Sequence, residues 1–147
     1  SSAKNIEKNI KRLLKLKNVK VIGKITVSAL NIFYIPETLE WFKELNVHRT
    51  DEHFVTFPKF LDCRIWKNTP RLKIQKKLKY YHKKVSNKER YEKLRIPLTT
   101  KNILNFFEQK EMYNKTEWDK FIEYNQILDE SRNETYKKFD FLKKYMI

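Results

Sequence analysis

Apolar positions recur along this chain in two rhythms. Ile6, Ile10, Leu13 and Leu14 stand at i, i+4, i+7 and i+8, one face of a helix that Ser2 is placed to cap and Asn18 to end. Val19 to Ile25 is rich in β-branched residues and runs into Thr26 to Leu30. Its near-continuous apolarity predicts a central strand buried on both faces, as in a parallel sheet. Pro36 suits the first turn of the next helix, which turns Leu39, Phe42 and Leu45 inward with Trp41 beside them. This strand–loop–helix unit is the strongest fold signal in the chain. Asn46 to Glu52 is polar, Phe54 to Phe57 predicts a short strand stopped by Pro58, and Phe60 to Trp66 predicts another extended segment.

Beyond Trp66 the rhythm is helical. Thr69 caps a helix opened by Pro70, with Leu72, Leu78, Tyr81 and Val85 along one side and Ile74 displaced. Ser86-Asn87-Lys88-Glu89 reads as a capping box for a short helix that ends before Pro97. Thr100 caps another, with Ile103, Leu104 and Phe107 inward. Thr116 to Asp119 opens one that carries Trp118, Phe121, Ile122 and Leu128, and Tyr136 to Ile147 forms a helical tail. The expectation is a single α/β domain over residues 1–147. Its α/β part, 1–66, holds a short, mainly parallel β-sheet of about three strands, partial-barrel-like and backed by about five or six helices. Residues 67–147 form the helical part.

Composition narrows the chemistry. At 147 residues the chain can bury about two-thirds of its unfolded surface, so it needs no disulfide or metal to fold. The one cysteine, Cys63, cannot hold an iron–sulfur cluster or a structural zinc alone, and the one glycine, Gly23, excludes a glycine-rich phosphate loop. The longest apolar run, Ile25 to Ile35, is 11 residues and interrupted by Thr26, Ser28 and Asn31. A membrane-spanning helix needs about 20, so no membrane partner is expected. Ser1 to Leu16 is charged throughout and lacks the apolar core of a signal peptide, which points to the cytoplasm.

The net charge is +15 at pH 7, and Lys67 to Arg95 alone supplies +10 of it. Tyr80, Tyr81, His82 and Tyr91 are interleaved there. Basic helices with aromatics bind phosphates and stack bases, which makes Lys76, Lys77, Lys83, Lys84 and Tyr81 candidate nucleic-acid-binding residues. A solvated helix whose tyrosines pack inward is the competing reading, and the preference for Lys over Arg favours it.

Two stretches carry a family resemblance. The first runs Thr26-Val27-Ser28-Ala29-Leu30-Asn31, then Tyr34, Pro36 and Glu37, then Leu39-Glu40-Trp41-Phe42. The second is Phe57-Pro58-Lys59, Leu61-Asp62 and Arg64-Ile65, followed by Thr69-Pro70 and the Lys-rich helix. With Tyr124 to Phe139 they resemble the later half of radical S-adenosylmethionine proteins with a shortened, twitch-type tail, which occur in phages and bacteria. The similarity spans most of residues 19–140. The family's three-cysteine cluster motif is missing and Cys63 does not match it. The family's terminal Pro-Glu is replaced by Phe139-Asp140-Phe141. The resemblance therefore implies the back portion of a partial barrel. S-adenosylmethionine and an iron–sulfur cluster would enter only with a further N-terminal segment, and this chain alone would bind neither.

Ser28 and Asn31 fall at the C-terminal end of the expected strand, the edge where parallel α/β folds gather ligands. Both can hydrogen-bond a ribose or an amide, and Arg64 is expected beside them from a neighbouring strand end. These three are the candidate cofactor-binding residues, although Ser and Asn in such loops commonly satisfy backbone groups instead. His48, His53 and His82 have no metal-ligand spacing, and no catalytic residue or metal site is readable. The leading expectation is a non-catalytic scaffold, substrate-recognition or partner-binding portion that associates with a protein partner or with itself. A basic RNA- or DNA-binding protein and a small enzyme with a subunit-interface site are the alternatives.

Overall fold

A computed structural model describes residues 3–132 and 140–145. The chain is helix-rich α/β. In order, helix α1 (Ala3–Leu14), strand β1 (Ile22–Val27), helix α2 (Ile35–Leu45) and strand β2 (Arg49–Phe54) are followed by helices only. These are α3 (Asn68–Val85), α4 (Glu89–Glu92), α5 (Ile96–Gln109), α6 (Lys115–Arg132) and α7 (Asp140–Tyr145). Short 3-10 turns lie at Ile32–Tyr34, Lys59–Leu61 and Cys63–Ile65.

β1, α2 and β2 form a parallel β–α–β unit in which Ile22 pairs with Arg49 and Val27 with Phe54. α2 ends where the chain must reverse. Asn46 takes the left-handed conformation at φ 58°, its N–H reaches the Lys43 carbonyl, and the Val47 N–H reaches that of Phe42. This paired closure is the Schellman pattern, with Asn standing where Gly is usual. The close approach that does need glycine is at Gly23, because a β-carbon there would lie 2.7 Å from the Phe42 ring.

The sheet differs from expectation in three ways. Among the described residues it has two strands, not about three. β2 occupies Arg49–Phe54, so the strand expected at Phe54 to Phe57 begins earlier, within the polar segment Asn46 to Glu52, and ends at Phe54, while Phe60 to Trp66 forms 3-10 turns instead of a strand. β1 is not buried on both faces: Gly23, Ile25 and Val27 are buried, while Ile22, Lys24 and Thr26 are exposed. The helices cover only one face, so the apolar look of Ile22 and the β-branching of Thr26 do not report burial.

The covered face meets α2 and α5. Ile25, Val27, Ile35, Leu39, Ile74, Leu78, Ile96, Ile103 and Phe107 join one buried core, together with Tyr81 and Val85 of α3. In α3 the inward stripe is Ile74, Leu78, Tyr81 and Val85, while Leu72 is 64% exposed. The spacing i, i+4, i+7, i+11 explains the exchange of Ile74 for Leu72. Helix starts also move. α5 begins at Ile96 with Pro97 in its first turn, and Thr100 lies inside it, its hydroxyl donating to the Ile96 carbonyl at 2.7 Å. Asn114, not Thr116, receives the Glu117 N–H at the start of α6. At the α3–α4 junction the Ser86 hydroxyl donates to the His82 carbonyl and the Asn87 N–H goes to Glu92, so no capping box forms. Ser2 and half of the expected tail, residues 136–139 and 146–147, lie outside the described residues.

Candidate functional site

Each strand of a parallel pair turns alternate main-chain groups toward its neighbour. The Val55 N–H donates to the Val27 carbonyl at 3.0 Å, which fixes the odd-numbered residues of β1 as those facing β2. Ile22, Lys24 and Thr26 therefore turn their main-chain groups to the outer edge. There the Thr26 carbonyl accepts from the Asn31 side-chain amide at 2.8 Å. Nothing among the described residues pairs with Ile22 or Lys24. The outer edge of β2 is closed instead: the Thr50 N–H donates to the Leu94 carbonyl at 2.7 Å, and the Glu52 N–H to the Asp51 carboxylate at 2.9 Å.

The same parity sorts the side chains. Register sets Ile22 beside Arg49, Lys24 beside Asp51 and Thr26 beside His53 on the face away from the core. All six are exposed or half-buried. The sheet thus has one unpaired edge and one uncovered, largely polar face. Parallel sheets are normally covered on both faces, so this arrangement is unusual. α1 lies alongside α2, joined by a 2.7 Å hydrogen bond from the Trp41 indole to Glu7. It has no buried residue, and Ile6 and Leu13 of its apolar face are each 43% exposed.

The three candidate cofactor residues lie near the C-terminal end of the strands, each already engaged. The Ser28 N–H donates to the Asn31 side-chain carbonyl at 2.9 Å, and the Leu30 N–H to the Ser28 hydroxyl at 3.2 Å. Both side chains thereby close their own loop. Arg64 forms a fork on the buried Asp62 carboxylate, Nε to Oδ1 at 3.0 Å and Nη2 to Oδ2 at 2.8 Å. Its guanidinium carbon lies 4.2 Å from the Phe106 ring centre, and Phe106 stacks on Phe54 at 4.1 Å. The hydrogen bonds to Asp62 raise the Arg64 pKa against the cost of burial.

The candidate nucleic-acid residues divide. Lys76, Lys83 and Lys84 are exposed on α3. Lys77 donates to the Phe33 carbonyl at 2.6 Å and pairs with Glu37 at 2.7 Å. Tyr81 is buried at 4% exposure with its hydroxyl donating to Glu40 at 3.0 Å, so its ring presents no stacking surface. The exposed aromatic is its neighbour Tyr80, at 71%.

Sequence reasoning did not find two internal networks. Glu40 receives the hydroxyls of Tyr81 and Tyr91 and pairs with Lys43 at 3.2 Å, joining α2, α3 and α4. Burial opposes its charge, but the hydrogen bonds from Tyr91, Tyr81 and Lys43 prevail and hold its pKa below the ordinary carboxylate value. Arg71 donates to the carbonyls of Arg64, Trp66 and Phe107, with its own pKa lowered chiefly by burial. No local pattern marks either network, because the partners that tie the elements together, Tyr81 and Tyr91 for Glu40 and Phe107 for Arg71, stand tens of residues away. Cys63 is fully buried, and burial, with Asp62 beside it, pushes its thiol up to about 12. Among the described residues no three His, Cys, Asp or Glu side chains gather as metal ligands, and no helix is long and apolar enough to cross a membrane.

These features define a helix-rich α/β chain with, among the described residues, a two-stranded parallel sheet. Comparison with known protein families, with curated proteins and with solved structures finds no match.

Proposed function

We propose that this chain is a non-catalytic, partner-binding portion of a larger α/β assembly, and that it receives an additional strand on the outer edge of β1. The carrying observation is the asymmetry of the sheet: the edge of β2 is closed by Leu94 and Asp51, while that of β1 stays open at Ile22 and Lys24. An open strand edge is a template for pairing with another chain. A helix leading into a strand, as α1 leads into β1, is the second half of a β–α–β unit. The resemblance to radical S-adenosylmethionine proteins supports the same reading. In such an assembly the polar face bearing Lys24, Thr26, Arg49, Asp51 and His53 would line the interior of a partial barrel. The cluster and S-adenosylmethionine would come from the segment that supplies the missing strands.

Lys24→Pro tests the edge directly. Proline removes a ladder bond inside a sheet but is tolerated on an open edge. The variant is expected to fold with little loss of stability. Without another strand donor the unmodified chain is expected to self-associate through β1, and Lys24→Pro to return it to monomer in light scattering. A chain that stays monomeric at high concentration, or a Lys24→Pro variant that associates as before, refutes the edge. Separately, a stoichiometric four-iron cluster formed on this chain by anaerobic reconstitution with iron and sulfide would sink the non-catalytic reading.

A further inference from the structure

α3 is an 18-residue helix without a single acidic residue. Its buried stripe is Ile74, Leu78, Tyr81 and Val85. On the outward side Lys73, Lys76, Tyr80 and Lys83 follow one another at helical spacings of three and four, and Lys84 stands four beyond Tyr80, so the five share one face. All five are exposed, and Tyr80 is 71% exposed in the middle of the row. Among the described residues Lys76, Lys83 and Lys84 form no ion pair, whereas Lys77 and Lys79, on the flanks, reach Glu37 and Glu108. Three exposed cations beside the ring are therefore left without an acidic partner among the described residues.

We infer that this face of α3 binds single-stranded nucleic acid, with Lys76, Lys83 and Lys84 on successive phosphates and Tyr80 stacked on a base. Like charges along one helix face repel one another, and a polyanion relieves that repulsion. Lysine stems are long enough to follow a flexible backbone, and an exposed aromatic ring among cations is the platform on which bases stack. An acidic polypeptide would satisfy the lysines but leave the ring without a partner. The surface lies on a different element from the open edge of β1 and stands independently of it.

Fluorescence anisotropy of a labelled oligothymidylate, titrated at several salt concentrations, tests the inference. On single strands log K falls with log salt by about 0.7 per phosphate contact. Replacing Lys76, Lys83 and Lys84 together by Gln should therefore flatten the slope by about 2. Replacing Lys4, Lys8 and Lys11 of α1 by Gln removes equal charge and should leave the slope unchanged. Tyr80→Leu should weaken binding about tenfold or more, an effect absent from an abasic oligomer of equal length. All of these substitutions are at exposed or solvent-facing positions, and a melting curve for each variant confirms an intact fold. The inference is overturned by any of three results. The first is no binding at low salt. The second is an equal flattening of the slope by both triple variants, which would mark general basicity. The third is polyglutamate binding as tight as that of the oligonucleotide with the same dependence on Tyr80.

Discussion

Gly23→Ala isolates the closest packing between sheet and helix. The glycine is the second residue of β1, and its backbone is not in the left-handed region, so alanine incurs no conformational penalty there. The obstacle is steric. A β-carbon would meet Cδ2 and Cγ of Phe42 at 2.7 Å and Cε2 at 2.9 Å, the body of a ring rather than a flexible tip. That ring is in turn backed by Trp41, with centroids 5.5 Å apart. Overpacking of this kind costs about 1–3 kcal/mol. Against it, alanine recovers roughly 0.5–1 kcal/mol of the backbone entropy that glycine loses on folding. The net expectation is destabilisation by about 1–2 kcal/mol, or a fall in urea midpoint of about 0.5–1 M for a typical m-value. Phe42→Leu should remove most of the clash, so in that background Gly23→Ala should cost about 1 kcal/mol less. A Gly23→Ala variant as stable as the parent, or an equal cost in both backgrounds, would refute the steric account.

Thr50 is 1% exposed, and its hydroxyl meets the Leu94 carbonyl at 3.0 Å and the Thr99 hydroxyl at 2.9 Å. Thr50→Val strands the Thr99 hydroxyl and should cost about 1–3 kcal/mol in chemical unfolding, with Thr50→Ser closer to the parent. The folded Glu40 has a pKa below its ordinary 4.5, so its charge favours folding above that value and the benefit is lost as pH falls through the folded pKa. Glu40→Gln should accordingly show a shallower loss of stability in acid than the parent when melting is followed across the carboxylate range. Cys63, fully buried with its thiol pushed up to about 12, should resist alkylation at pH 8 in the native chain. It should react readily in denaturant, with mass spectrometry as the readout.

Helical faces are legible where one period governs burial. Leu39 and Leu45 of α2, Leu78 and Val85 of α3, and Ile103 and Phe107 of α5 face the core where their spacing puts them. The sheet is less legible because its burial is decided by distant elements. Thr50 and Glu52 look like loop residues until Thr99 and Asn102 arrive from α5 to take their hydrogen bonds. Ile22 looks like core, yet no helix crosses its face, and it is 43% exposed. Tyr80 and Tyr81 differ by one position and hence by 100° about the helix axis. The spacing of Leu78, Tyr81 and Val85 already turns Tyr81 inward and Tyr80 outward, so Tyr80 is the stacking candidate consistent with the pattern. The Ser28–Asn31 turn is legible as a loop that could close on itself. The fork of Arg64 on Asp62 is only suggested, because a two-residue spacing fixes no mutual geometry outside regular structure.

Trp66 joins the two halves of the chain. Its indole N–H donates to the Ala29 carbonyl, just past β1, at 2.9 Å, while its ring meets Trp118 edge-on at 5.0 Å and Phe141 at 5.3 Å. One buried side chain thus serves as hydrogen-bond donor to the strand side and as packing centre for the C-terminal helices. Neither half is a module that could be cut away or exchanged. Severed after Trp66, the first half would expose a large ring to water and the second would lose the surface on which α6 and α7 condense. Such a chain is expected to gain or lose structure as one cooperative unit. Indole fluorescence would report the strand side and the helical side melting together, and any lineage that discards the C-terminal helices must first refill the space around this ring.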